Sequence, residues 1–383
     1  MHRRVGVLLF SAGWGANHFS TLLVVYRRDL GLAPAALGIL FGAYALGLVP
    51  GLILAGRASD RWGRRALVLP ASALALAGSV VLAFGTHGFG VLLAGRLIYG
   101  LGMGAVMSPG SVWLQELSPI GSGPRRATLA LSAGFGMGPV VSGAIAELAP
   151  APMLLPYVAH VLVMTWALAG TRAVPETAGR TRPAPVDARA AHKRPGDLRV
   201  LVELLPAAPW AFGFAAVTLA ILPGLMRPRV SHPVLYSGFV IFTTLLAGVL
   251  VQPGVRRLGR SAGLLGLAMG GLGLLLGARA VSLGSPALVF AVAPLVGGGY
   301  GLIMTSGLAE VAARAPARVR GTAVGVYYVL TYVGFALPFL QAKLAQDWTD
   351  RGTLRGVAAV VAVCLVVRAG IEAITQRRVA ARR

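Results

Sequence analysis

Apolar residues in this chain run in blocks of about 20 or more, the length a helix needs to cross a bilayer, and short polar segments between them hold nearly all the Arg, Asp and Glu. Backbone N–H and C=O groups in lipid must be satisfied within their own segment, so the blocks read as helices. The pattern predicts twelve spans, at 5–27, 35–57, 65–84, 88–115, 126–149, 151–171, 200–226, 233–255, 262–281, 286–311, 320–343 and 353–375. The fifth and sixth are divided only at Ala149-Pro150-Ala151-Pro152, where the prolines break the helical run.

Composition agrees. Of 383 residues, 56% are hydrophobic and 12% charged, against roughly 25% charged in soluble domains. The 52 Gly and 24 Pro suit membrane helices, where small residues allow close packing. A net charge of +23 would suit a nucleic-acid binder, but the hydropathy leaves no aqueous surface for a basic groove. Charge placement explains it instead. With both termini in the cytoplasm, the inner segments hold 25 of the 35 Lys and Arg and the outer segments 8, while Arg96 and Arg368 fall inside helices. The positive-inside rule therefore places the termini inward, in a bacterial cytoplasmic membrane, with the inner arginines against anionic lipid. The single Cys364 excludes a disulfide framework and a cysteine metal site. The first block, preceded by Arg3-Arg4 and followed by Arg27-Arg28-Asp29, is too long for a cleavable signal and is read as a retained helix.

Residues 172–199 are rich in Pro, Ala, Arg and Thr and read as a flexible cytoplasmic linker. The expected division is a six-helix bundle at 1–172, the linker at 173–199 and a second bundle at 200–383. Asp60-Arg61-Trp62-Gly63-Arg64 reappears as Arg256-Arg257-Leu258-Gly259-Arg260, and Glu116 and Arg126 reappear as Glu310 and Arg320. Two independent loops with nearly one offset mark a duplicated unit.

Three motifs carry a family resemblance. Gly56-Arg57-Ala58-Ser59-Asp60-Arg61-Trp62-Gly63-Arg64-Arg65 resembles the GxxxDRxGRR signature of the major facilitator superfamily. Leu92, Arg96, Gly100 and Gly102 resemble its LxxxRxxQGxG motif, with Tyr99 where Gln is common. Gly134, Gly138, Pro139 and Gly143 resemble the GxxxGPxxGG motif of its twelve-helix drug and metabolite antiporters, with Ser142 in place of one glycine. The resemblance implies an all-α membrane fold of two pseudo-symmetric six-helix bundles. It also implies a latch in which Asp60 meets the N-terminal end of the eleventh helix near Arg320-Gly321-Thr322, with Glu116 as a partner for Arg61 or Arg65. On the residues themselves, Gly63 permits a tight turn and Asp60 accepts charge-assisted hydrogen bonds from its arginines.

All twelve carboxylates map to loops or near helix ends, so the simplest carboxylate route for protons is missing. The deep ionisable groups are His18, Arg96 and His160. Ser11, Trp14, Asn17, His18 and Thr21 form one polar stripe on the first helix. By analogy with the family, His18 and Arg96 face the central cavity and His160 is structural; His18 is the expected proton carrier, with Asn17 beside it and Asp29 and Glu147 in reserve. Tyr99, Met103, Met107, Trp210, Phe214, Tyr300, Met304, Tyr328 and Tyr332 complete the expected lining, which suits amphipathic ligands.

There is no nucleotide-cradling loop, zinc-peptidase motif or nucleophile elbow, so no enzyme, cofactor or metal is expected. The expected function is secondary active transport by a monomer, as proton-coupled efflux of small amphipathic neutral or anionic solutes. Import or facilitation of a small polar metabolite on the same fold is the alternative.

Overall fold

The computed structural model describes the backbone of residues 1–120, 122–177, 198–259, 261–316 and 320–380; the side chains of 56, 57, 60, 124, 320–322 and 376–380 fall outside the description. Twelve helical segments follow one another, with no strand among the described residues. They are α1 His2–Asp29, α2 Pro34–Trp62, α3 Arg64–Ala83, α4 Phe89–Glu116, α5 Gly123–Leu148 and α6 Leu155–Thr171. Then come α7 Arg199–Arg229, α8 Pro233–Leu258, α9 Ser261–Leu283, α10 Pro286–Arg314, α11 Ala323–Leu344 and α12 Asp350–Ala380. Each predicted span overlies one of them. Among the described residues, eleven are long and apolar enough to cross a membrane. The 17 residues of α6 reach about 25 Å at roughly 1.5 Å per residue, the short end of a spanning helix.

Breaks occur where the backbone lacks a donor. In α7, Pro206, Pro209 and Pro223 flank pieces at Arg199–Leu204, Ala208–Ala216 and Leu222–Met226, with a π-helical turn at Val217–Ile221. In α11 a 3₁₀ turn at Val333–Ala336 precedes Pro338. Gly63 and Gly259, matched by the internal repeat, both take positive φ, +101° and +56°, which side-chain-bearing residues rarely adopt.

The chain divides into two compact units, residues 1–186 with 230–242, and 187–229 with 243–383. In the first, α4 lies against α2 so closely that a Cβ at Gly100 or Gly104 would overlap the carbonyl of Tyr44 or Leu48. In the second, Gly297 and Gly301 of α10 meet Thr244 and Gly248 of α8 in the same way. The start of α8 clusters with the first unit because Gly238 sits on the carbonyl of Pro139 in α5 and Glu147 accepts from the Val234 and Leu235 N–H groups at 2.8 and 3.2 Å. A carboxylate at a helix start satisfies free donors and complements the dipole.

Candidate functional site

The polar stripe of α1 is enclosed within the first unit. Ser11, His18 and Thr21 are fully buried and Trp14 nearly so, among α4, α5 and α6. His160 of α6, expected to be purely structural, has its ring 5.1 Å from that of His18. Its Nε2 donates to the Ser11 carbonyl at 3.0 Å, so Nδ1 accepts from the Ser79 hydroxyl at 2.9 Å. Trp14 Nε1 donates to Ser142 Oγ at 2.9 Å, leaving that hydroxyl's proton for His18 Nδ1 at 3.4 Å. The His18 proton then sits on Nε2, which is buried without a hydrogen-bond partner, as are Ser11 Oγ and Thr21 Oγ1. Tyr157 packs edge-on to His18 at 4.8 Å and shares a 2.5 Å hydrogen bond with Tyr26. Asn17 reaches the Phe135 carbonyl at 3.5 Å. The serine that departs from the antiporter-type motif is thus the node between Trp14 and His18.

The other members of that motif hold helices together. A Cβ at Gly134 would overlap the Phe10 carbonyl, and one at Gly138 would lie 2.7 to 2.8 Å from Trp14. A Cβ at Gly143 would lie 3.0 Å from Thr21 and from the Val234 carbonyl.

Arg96 is only 1% exposed. Among the described residues no carboxylate pairs with it. Its guanidinium donates to the carbonyls of Leu40, Ala16 and Phe41 at 3.1, 3.4 and 3.3 Å and lies over the rings of Phe19 and Tyr44 at 4.3 and 4.6 Å. Backbone carbonyls have a second lone pair to offer, and ring faces attract the cation. Tyr99 and Met103 are fully buried, with the Tyr99 hydroxyl on the Ala12 carbonyl at 2.7 Å, while Met107 is partly exposed.

In the second unit Phe212 of α7 is the centre of an aromatic cluster. Its ring lies 4.5 Å from Tyr332, 5.0 Å from Phe335 and 5.8 Å from Tyr300. Trp210 stacks on Phe214 at 5.7 Å, but Phe214 is fully buried and fills the space left by Gly270 of α9. Phe212, Trp210, Tyr300, Met304 and Tyr328 keep partly exposed faces. At the end of this unit, Arg314 forks onto Glu203 at 2.5 and 3.0 Å, and Arg368 meets Glu310 at 2.6 Å.

Around the α2–α3 turn, Gly56 and Asp60 lie outside the described side chains, as does the far end of the expected latch at 320–322. Glu116 meets Arg64 at 3.7 Å, where the family resemblance implied Arg61 or Arg65. Thr177 also donates to Glu116. The linker was expected to be flexible from its start, yet 172–177 pack on this turn. Glu176 accepts from the N–H groups of Arg64 and Arg65 at 2.9 Å each and of Ala66 at 3.4 Å, and Arg65 and Trp113 donate to the carbonyls of Arg172 and Pro175 at 2.7 and 3.1 Å. The rest of the linker, 178–197, lies outside the described residues.

The sequence reading passed over Ser79, Tyr157, Glu176 and Phe212. Nothing local marks the first three, since their partners are far away in sequence; Phe212 could have been found as the middle member of the aromatic run Trp210, Phe212, Phe214.

A family model described as Major Facilitator Superfamily matches residues 5–338. "Probable metabolite transport protein CsbC" of Bacillus subtilis (strain 168) is 33% identical over 115 residues, 30% of this chain and 24% of that protein. "Quinolone resistance protein NorA" of Staphylococcus aureus is 28% identical over 153 residues, 38% of this chain and 39% of that protein. The matched stretches therefore span well under half of these curated relatives. Among solved structures, a peptide transporter POT in complex with sulfate superposes with a TM-score of 0.78 at 15% identity, covering 98% of this chain and 94% of that one. The nucleoside transporter NupG gives 0.76 at 13% identity, covering 97% and 99%.

Proposed function

This chain belongs to the major facilitator superfamily, and from that premise we propose that it is a secondary active transporter exporting small amphipathic neutral or anionic solutes in exchange for inward-moving protons. It works as a monomer in a bacterial cytoplasmic membrane, both termini inward, by alternating access of its two six-helix halves. The observation that carries proton coupling is the His18–His160 pair, two imidazoles 5.1 Å apart inside spanning helices, where ionisable groups are functional by default. His18 is the proton carrier and has an unpartnered Nε2; His160, Tyr157 and Ser142 surround it. The aromatic faces around Phe212 supply an apolar surface for ring-bearing solutes, and Arg96 sets a positive field that disfavours cations. The antiporter-type motif on α5 and the similarity to NorA support efflux. Asp60 is the latch residue, and Asp60→Asn inserts normally but loses transport.

The alternative, import or facilitation of a small polar metabolite, is favoured by the similarity to CsbC and to "Glucose transporter GlcP" of Staphylococcus epidermidis. Solute accumulation in inside-out against right-side-out vesicles, with and without a pH gradient, separates the two. Accumulation in inside-out vesicles that depends on the gradient and is lost in His18→Gln is expected; gradient-independent flux would sink the antiport reading.

A further inference from the structure

At the end of the first unit that carries the N-terminus, α1, α4 and α5 border an open surface pocket of about 320 Å³ lined by His2, Arg3, Gly6, Leu114, Arg126 and Leu129. That is the lower end of ligand-site volumes, enough for a headgroup. No carboxylate lines it among the described residues. Arg126 Nη1 is buried and has no hydrogen-bond partner, a state that costs a charged donor more than the roughly 1–3 kcal/mol of a neutral one, and that an anion relieves through a charge-assisted bond. Arg3 is exposed at the same mouth. The neighbouring Arg4 is used elsewhere, donating to the Gly170 carbonyl at 3.3 Å.

The pocket is cationic at one end and apolar along its wall. Leu129 is three residues beyond Arg126 on α5, so both share a face, and it is 53% exposed. A free inorganic anion would use the arginines and leave this wall bare, whereas a lipid covers both. We infer that this pocket is a binding site for the phosphate headgroup of an anionic phospholipid, held by Arg126 and Arg3 with an acyl chain along Leu129. The inference stands independently of what the protein transports.

The test uses the full chain purified in a neutral detergent, with binding read by native mass spectrometry and by thermal shift. The probes are phosphatidylglycerol, phosphatidylcholine and inorganic phosphate. Phosphatidylglycerol should bind and stabilise, and phosphatidylcholine should do neither. Arg126→Gln and Arg3→Gln should each weaken phosphatidylglycerol binding by about fivefold, the effect of one basic residue near an anionic lipid surface. Arg257→Gln, an exposed arginine in the second unit, should leave it unchanged. If Arg126→Gln does not fold, Arg3→Gln and Arg126→Lys carry the comparison. Equal binding by all variants, or a loss in Arg257→Gln as large as in Arg3→Gln, would overturn the site. Stabilisation by inorganic phosphate equal to that by phosphatidylglycerol would overturn the lipid as occupant.

Discussion

Gly15 shows how one missing side chain organises the first unit. A Cβ there would overlap the Tyr99 hydroxyl and lie 2.6 Å from His160 Nε2, so both rings reach the backbone of α1 only because position 15 is bare. Alanine in a helix normally gains up to about 1 kcal/mol over glycine. Here overpacking costs about 1–3 kcal/mol and two buried hydrogen bonds, Tyr99 to Ala12 and His160 to Ser11, must shift, so the loss wins. Gly15→Ala should lower the thermal midpoint in detergent, and an unchanged or higher midpoint would refute the crowding argument. Ser142 is a second such position. Ser142→Ala leaves the buried Trp14 N–H without its acceptor, at about 1–3 kcal/mol, and releases His18 Nδ1. Thermal denaturation should show the loss, and Ser142→Thr, which keeps the hydroxyl, should restore part of it.

Among the elements, α3 begins on a carboxylate supplied from 112 residues away, where Arg64 N–H meets Glu176. Three N–H groups that the helix cannot satisfy itself converge on this side chain. Glu176→Ala should cost about 0.5–2 kcal/mol, the range for loss of a helix cap, and hydrogen exchange at residues 64–66 should speed up while the interior of α9 stays protected. Equal exchange in both proteins would mean that solvent satisfies those donors. The helices themselves were legible because hydropathy is a local property: each predicted span overlies a helix, with ends differing by a few residues. Glu176 was not, because a cap chosen by tertiary proximity leaves no trace in a Pro-rich stretch that reads as linker. The pairing of His160 with His18 was not legible for the same reason, since periodicity gives the face of a helix but not which neighbour that face meets. The π turn of α7 and the 3₁₀ turn of α11 were foreshadowed only by Pro223 and Pro338 nearby.

Across the whole molecule the duplication repeats the backbone but not the chemistry. Both units have a positive-φ glycine after an arginine-rich turn and glycine-mediated contact of paired helices. Among the described residues, the buried histidines His18 and His160 lie in the first, while the second carries the Phe212 cluster. On the proposed function this divides labour between proton handling and solute contact, and the division is measurable. His18→Gln should abolish the dependence of transport on the pH gradient and leave the solute concentration for half-maximal rate within about twofold. Phe212→Ala should raise that concentration by about tenfold, as expected when roughly 0.5–1.5 kcal/mol of ring contact is lost together with its buried area, and leave the gradient dependence intact. Initial rates in inside-out vesicles, over a range of solute concentrations at two pH gradients, give both quantities from one data set. If the two sites act independently, the double variant should show the sum of the two free-energy effects. A shared pattern, in which either change alters both gradient dependence and half-saturation, would mean that proton and solute compete for one place and that the unequal halves are not a division of labour.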